Sequence, residues 1–103
     1  MNSGPDEPGR STELAFSGAL DMATADSLRE AMKHALRAPD CDVLVVDLAK
    51  VDFIDSTGIG ALVAARNLAI ETGKTLRLNP VSDRVRRALS ITTLDTVFDL
   101  GHA

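Results

Sequence analysis

The sequence predicts a small α/β protein built as one domain, with a mostly parallel central β-sheet and helices packed against it. Three observations predict it. Val43-Leu-Val-Val46 is an unbroken apolar, largely β-branched run, the signature of a strand covered on both faces. Apolar residues from Ala25 to Leu36 recur at helical spacings of three and four. Signals of these two kinds alternate along the chain as strand, helix, strand, helix, strand, helix, and right-handed crossovers turn that order into a parallel sheet.

Each element has its own local grounds. Residues 1–11 are rich in Pro, Gly and charge and read as a flexible tail, which leaves 12–103 for the domain. Leu14-Ala-Phe16 reads as a short strand that ends in a turn at Ser17-Gly18. Thr24 is placed to cap the first helix, with Asp26 in its first turn and Ala38-Pro39 ending it. Val43 to Val46 is the central strand, and the following residues lead to a second helix that starts near Ser56 and stops at Thr72-Gly73. Ile59, Leu62, Val63, Ala69 and Ile70 are its expected apolar face. Leu76-Arg-Leu78 alternates as a strand with Lys74 and Arg77 outward, and Asn79-Pro80 reads as a turn. Ser82 caps a third helix with Val85, Ala88 and Leu89 inward and Arg84, Arg86 and Arg87 toward solvent. Val97-Phe-Asp-Leu100 is a last apolar segment expected to pack back on the body.

Composition narrows the function. The 103 residues hold three Phe and no Trp or Tyr, so the core is made of Ala, Val, Leu and Ile. A formal net charge of −4 argues against nucleic-acid binding, which depends on basic surface. The single cysteine, Cys41, permits neither an intramolecular disulfide nor a cysteine metal cluster. The N-terminal stretch lacks a signal-peptide pattern, and no apolar run approaches the roughly 20 residues that span a bilayer. A cytoplasmic protein without membrane partner or cofactor is the resulting expectation.

The densest chemical signal is Asp55-Ser-Thr-Gly-Ile-Gly60, where an acid, two hydroxyls and two glycines stand at the entry to the second helix. Two readings of these residues stand side by side. In one, a hydroxyl simply caps the helix. In the other, the site is a switch: the first helical turn offers N–H groups and partial positive charge to an anion, and glycine lets another molecule come close. A phosphate on Ser56 would add about −1.5 to −2 of charge beside Asp55.

The same hexapeptide resembles the D-S-[ST]-G-[LIV]-G signature of the STAS domain, the fold of anti-sigma-factor antagonists. Gly18-Ala-Leu-Asp21 resembles the family's G-E-[LI]-D turn, Leu44-Val-Val-Asp-Leu48 its central strand, and Leu76-Arg-Leu78, Val81-Ser82 and Ile91-Thr-Thr-Leu94 its third strand, third helix start and I-[ST]-G-L turn. Ala19 and Thr93 depart from the pattern, and the tail gives little sign of the family's opening hairpin. The resemblance implies a binding module in which the serine after the motif aspartate, here Ser56, is phosphorylated by an anti-sigma factor that is also a serine kinase of the GHKL type. It implies that the unphosphorylated form binds that partner and frees a sigma factor, and that a cognate phosphatase resets the switch. It also implies a partner-binding face made of Asp21, Met22, Asp55, Ser56, Thr57, Gly58 and Ile59.

An enzyme is the poorer reading. His34 lies mid-helix and His102 near the end of the chain, neither placed by sequence beside Ser56 with an orienting acid. No nucleophile elbow, phosphate loop or dinucleotide fingerprint occurs. The alternative kept open is a STAS scaffold or ligand-sensing module outside sigma-factor control, because fold alone does not assign function.

Overall fold

The computed structural model describes residues 10–92. Three strands and three helices alternate: β1 (Ser11–Leu20), α1 (Ala25–Arg37), β2 (Val43–Ile54), α2 (Ser56–Glu71), β3 (Thr75–Val81) and α3 (Asp83–Ile91). The sheet order is β1-β2-β3 and both pairings are parallel. α1 and α2 pack on each other and on the sheet, and α3 packs against β2. Expected residues 97–100, Thr93 and His102 lie outside the described residues.

The strands are longer than the sequence suggested. β1 opens at Ser11, inside the stretch read as tail, where Arg10 exchanges hydrogen bonds with Asp42 and Val43. It also passes straight through Ser17-Gly18, which is not a turn. The pairing with β2 shifts register between Ala15 and Ser17 and again between Gly18 and Ala19, so β2 carries two more residues than β1 over the shared length. Gly18 takes φ +79° at the second shift, a conformation that a side chain would strain. Asn79-Pro80 is likewise not a turn. It falls inside β3, with a cis peptide bond, where the pairing to β2 skips from Val46–Leu78 to Leu48–Val81. A proline has no N–H for a ladder and suits such an irregular position.

The core follows from this frame. Leu44, Val46 and Leu48 of β2 are wholly buried among Leu28, Met32 and Leu36 of α1, Leu62 of α2, Leu78 of β3 and Leu89 of α3. α1 buries the predicted stripe of Ala25, Leu28, Met32, Ala35 and Leu36. α2 is turned from its expected face: it buries Gly58, Ala61, Leu62, Ala65 and Ala69, leaves Ile59 and Val63 half-buried, and exposes Ile70 to 59%. Four of those five buried residues are Ala or Gly, so the helix lies close to its neighbours along a seam of small side chains. α2 ends as predicted, on Gly73 at φ +73°, with Gly73 N–H donating to the Ile70 carbonyl and Lys74 N–H to that of Ala69. Lys74 does not point outward. Its Nζ donates to the carbonyls of Leu36 (2.6 Å) and Ala38 (2.8 Å), which closes the C-terminal end of α1.

Gly58 is the tightest point. A Cβ there would sit inside contact distance of the Leu20 carbonyl oxygen and 2.9 Å from the Leu20 Cβ, whereas a Cβ on Gly60 would meet nothing. Gly58→Ala should therefore destabilise the fold by about 1–3 kcal/mol through overpacking. Gly60→Ala should stabilise it by up to about 1 kcal/mol through helix propensity. Urea denaturation of both variants checks the pair, and equal effects would remove the distinction.

Candidate functional site

The C-terminal ends of parallel strands share one edge of a sheet, and two chain exits meet at that edge here. Leu20 and Ile54 are register partners, and the next residue of β2's exit, Asp55, donates its N–H to the Leu20 carbonyl at 3.2 Å. Asp21 follows Leu20 and Ser56 follows Asp55, so this one hydrogen bond sets the Asp21 turn against the start of α2.

Each aspartate holds its own exit in place. Asp55 is extended (φ −115°, ψ −173°), and its Oδ1 accepts from Thr57 N–H (2.9 Å) and Gly58 N–H (3.0 Å). Its main-chain carbonyl accepts from Ile59 N–H. Asp55, rather than Ser56, is thus the cap of α2. Asp21 does the same work before α1: its Oδ1 accepts from Ala23 N–H (2.9 Å) and Thr24 N–H (3.2 Å). Thr24, expected as the cap, makes no side-chain cap bond to its helix. Its hydroxyl instead accepts from Asp21 N–H (2.9 Å) and donates to the Ala19 carbonyl (2.8 Å), a reciprocal box with Asp21.

The capping changes how an anion at Ser56 must be pictured. Two first-turn N–H groups that would welcome a phosphate already serve the Asp55 carboxylate. A phosphate on Ser56 would have to displace that carboxylate or remain outside, in solvent, beside it. Ser56 is itself exposed, and Thr57 and Ile59 are half-buried beside it. Gly58, predicted to ease a partner's approach, is buried against Leu20 and serves helix-to-strand packing. The glycine with open backbone is Gly60, one turn beyond Ser56 on the exposed side of α2.

Apolar surface borders the acids. Met22 is 79% exposed and Phe53 43%. Phe53 carries no motif signal in the sequence; strict alternation back from the buried Ile54 puts it outward and would put Asp52 on the inner face. The extra residue in β2 opposite Gly18–Ala19 breaks that alternation and leaves Asp52 and Phe53 both outward. No cluster of three or more His, Cys, Asp or Glu among the described residues could hold a metal. Cys41 is a buried free thiol.

The site is a capped helix start on a parallel α/β domain, and comparison with known proteins places the chain in a family. The family model described as "Mlab, STAS domain" matches residues 3–100. The chain belongs to the STAS-domain family. It is 31% identical over 81 residues to an anti-sigma F factor antagonist of Paenibacillus polymyxa, an alignment covering 79% of this chain and 69% of that one. Among solved structures, it resembles an anti-sigma factor antagonist from Mycobacterium paratuberculosis with TM-score 0.71 and 29% identity, over 90% of this chain and 77% of that one. It resembles a sulfate transporter family protein from Wolinella succinogenes with TM-score 0.73 and 25% identity, over 88% and 71% respectively. The antagonists it resembles are regulatory binding proteins, and this chain is of that kind rather than an enzyme. No helix among the described residues is long and apolar enough to cross a membrane.

The division of labour between Asp55 and Ser56 is measurable by thermal unfolding. Asp55→Ala should cost about 1–2 kcal/mol, and Asp55→Asn, which keeps an acceptor oxygen, much less. Ser56→Ala should stay within about 0.5 kcal/mol of the parent, since its side chain accepts no capping bond. A loss at Ser56 as large as that at Asp55 would return the capping role to the serine.

Proposed function

We propose that this chain is a cytoplasmic anti-sigma-factor antagonist switched by phosphorylation of Ser56. In the unmodified form, the face of Asp21, Met22, Asp55, Ser56, Thr57 and Ile59 binds an anti-sigma factor that is also a serine kinase of the GHKL type, and a sigma factor is released. Phosphorylation of Ser56 by that kinase ends the binding, and a cognate phosphatase restores it. The observation that carries the reading is the exposed hydroxyl of Ser56 directly after a carboxylate that already occupies the helix-start N–H groups. A phosphate added there has no vacant nest to enter. It stands at the surface as bulk and charge next to Asp55 and the Asp21 turn, which is what a switch acting on a partner, not on the fold, requires.

Met22 and Phe53 add the apolar contact that a purely acidic rim would lack, and Gly60 leaves bare backbone one turn from the hydroxyl. Gly58 contributes indirectly, by letting α2 sit against Leu20. A second reading, a module seated in a larger assembly outside sigma-factor control, draws on the likeness to the sulfate transporter family protein. A pull-down that recovers a GHKL-type kinase favours the antagonist; recovery of only a multi-subunit assembly favours the second reading.

Incubation with candidate kinases and ATP, followed by mass spectrometry, tests the switch. Ser56→Ala should abolish phosphate incorporation and Thr57→Ala should leave most of it. Calorimetry with the anti-sigma partner should rank the unmodified protein tightest, Ser56→Asp weaker and the phosphorylated protein weakest, because one carboxylate carries less charge than a phosphate. Added salt should narrow the gap by screening. Equal affinity of phosphorylated and unmodified protein would end the switch reading.

A further inference from the structure

Away from the sheet edge, α1 and α2 leave a groove of about 190 Å³ between them, lined by Arg29 and Lys33 of α1 and by Ala64, Ala65 and Leu68 of α2. Its two walls differ in chemistry. Arg29 and Lys33 stand one turn apart and set two cations along one rim. Ala64 and Ala65 are short, so with Leu68 they form a shallow apolar floor. Arg29 has no ion-pair partner among the described residues, and Lys33 meets only the exposed Glu30 at 3.2 Å. Such a surface pair contributes little and can be exchanged for another carboxylate. In a chain of net charge −4 this is a local cationic site over an apolar floor.

The groove also continues the proposed binding face. Ser56, Gly60 and Ala64 follow one another at intervals of four on α2, and all three are exposed. A partner lying on Ser56 and passing over the bare Gly60 therefore arrives at Ala64 and the cationic rim.

We propose that the α1–α2 groove receives an acidic, amphipathic helical segment of the protein that binds at Ser56, its carboxylates on Arg29 and Lys33 and a small apolar side chain on Ala64, Ala65 and Leu68. This rests on the antagonist reading for the identity of the binder. The groove adds a contact of opposite charge sign to the acidic Asp21–Asp55 rim. It gives the partner a fixed direction along α2, since a reversed segment would bring its acids to Asp55.

The probe is a capped synthetic helical peptide with two Glu one turn apart flanking a Leu, titrated into the isotope-labelled full chain and followed by amide NMR. Shifts should concentrate at Arg29, Lys33, Ala64, Ala65 and Leu68. Replacement of both Glu by Gln, or the double variant Arg29→Glu/Lys33→Glu, should weaken binding about tenfold, the effect of losing or reversing two exposed charge pairs. Glu30→Gln should tighten it, because Lys33 loses its competitor. Both rim side chains lie at the surface, and circular dichroism confirms that the double variant is folded. Equal binding of the Glu and Gln peptides would overturn the proposal. So would shifts at these residues produced by vesicles of anionic phosphatidylglycerol but not by the peptide, which would assign the rim to a membrane surface. The phosphorylation experiment on Ser56 has a separate readout, so the switch can fail while the groove stands, and the groove can fail while the switch stands.

Discussion

The hydrogen bond from Asp55 N–H to the Leu20 carbonyl is the contact around which the functional edge is organised. It joins the last residue of β1 to the residue that caps α2, at a point where a Cβ on Gly58 would press on the same Leu20 carbonyl. If α2 were held away by a methyl group, Asp55 would lose its place, and its carboxylate would no longer meet Thr57 and Gly58 N–H together. The exposed position of Ser56 is thus a product of three neighbours, Leu20, Asp55 and Gly58, none of which need touch a partner.

That arrangement separates the groups that hold the fold from those on the proposed binding face. The buried side chains that hold the domain, such as Leu44, Val46, Leu48, Leu62 and Leu78, are packed between helices and sheet. The groups that would carry a switch stand on the rim, where a change of charge is paid for in solvation by water rather than by the core. Asp21 and Asp55 bridge the two roles. Each carboxylate closes a helix entry, and each contributes negative charge to the surface that a partner would read.

Much of the fold was legible because its signals were local. The α1 stripe from Ala25 to Leu36, the Val43–Val46 run, Gly73 after α2 and Ser82 before α3 all act within a few residues of themselves. What escaped depends on pairing between distant residues. Gly18 and Asn79-Pro80 carry turn chemistry, yet both sit within strands, because a bulge uses the same residues as a turn and only the neighbouring strand distinguishes them. The inward face of α2 is hard to see in the sequence because Ala and Gly fill most of it, while a large apolar residue, Ile70, lies on the exposed side. At the site, the sequence showed Asp55, Ser56 and Gly58 as a group but not how the work is shared among them. A cap is a matter of which oxygen reaches which N–H, and Asp and Ser are equally good candidates until the backbone is fixed.

The unequal lengths of β1 and β2 make the stretch from Leu48 to Ile54 intolerant of insertion or deletion in a way that a connecting loop would not be. Past Leu48 β2 is paired only with β1, and its two surplus residues are taken up at defined places. The surplus residues fall among the exposed pairs Ala49-Lys50 and Asp52-Phe53, which keeps Leu48, Val51 and Ile54 on the inner face. Removing one would erase a bulge, and adding one would pass the residues after it to the other side of the sheet, because side chains alternate residue by residue along a strand. The same slip would carry Asp55 past Leu20 and turn the start of α2, with Ser56, by about 100° about the helix axis. Length variation among proteins built on this plan should therefore collect before β1, around residues 38–42 or beyond α3, and spare this strand, whose spacing acts as the ruler for the hydroxyl at its end.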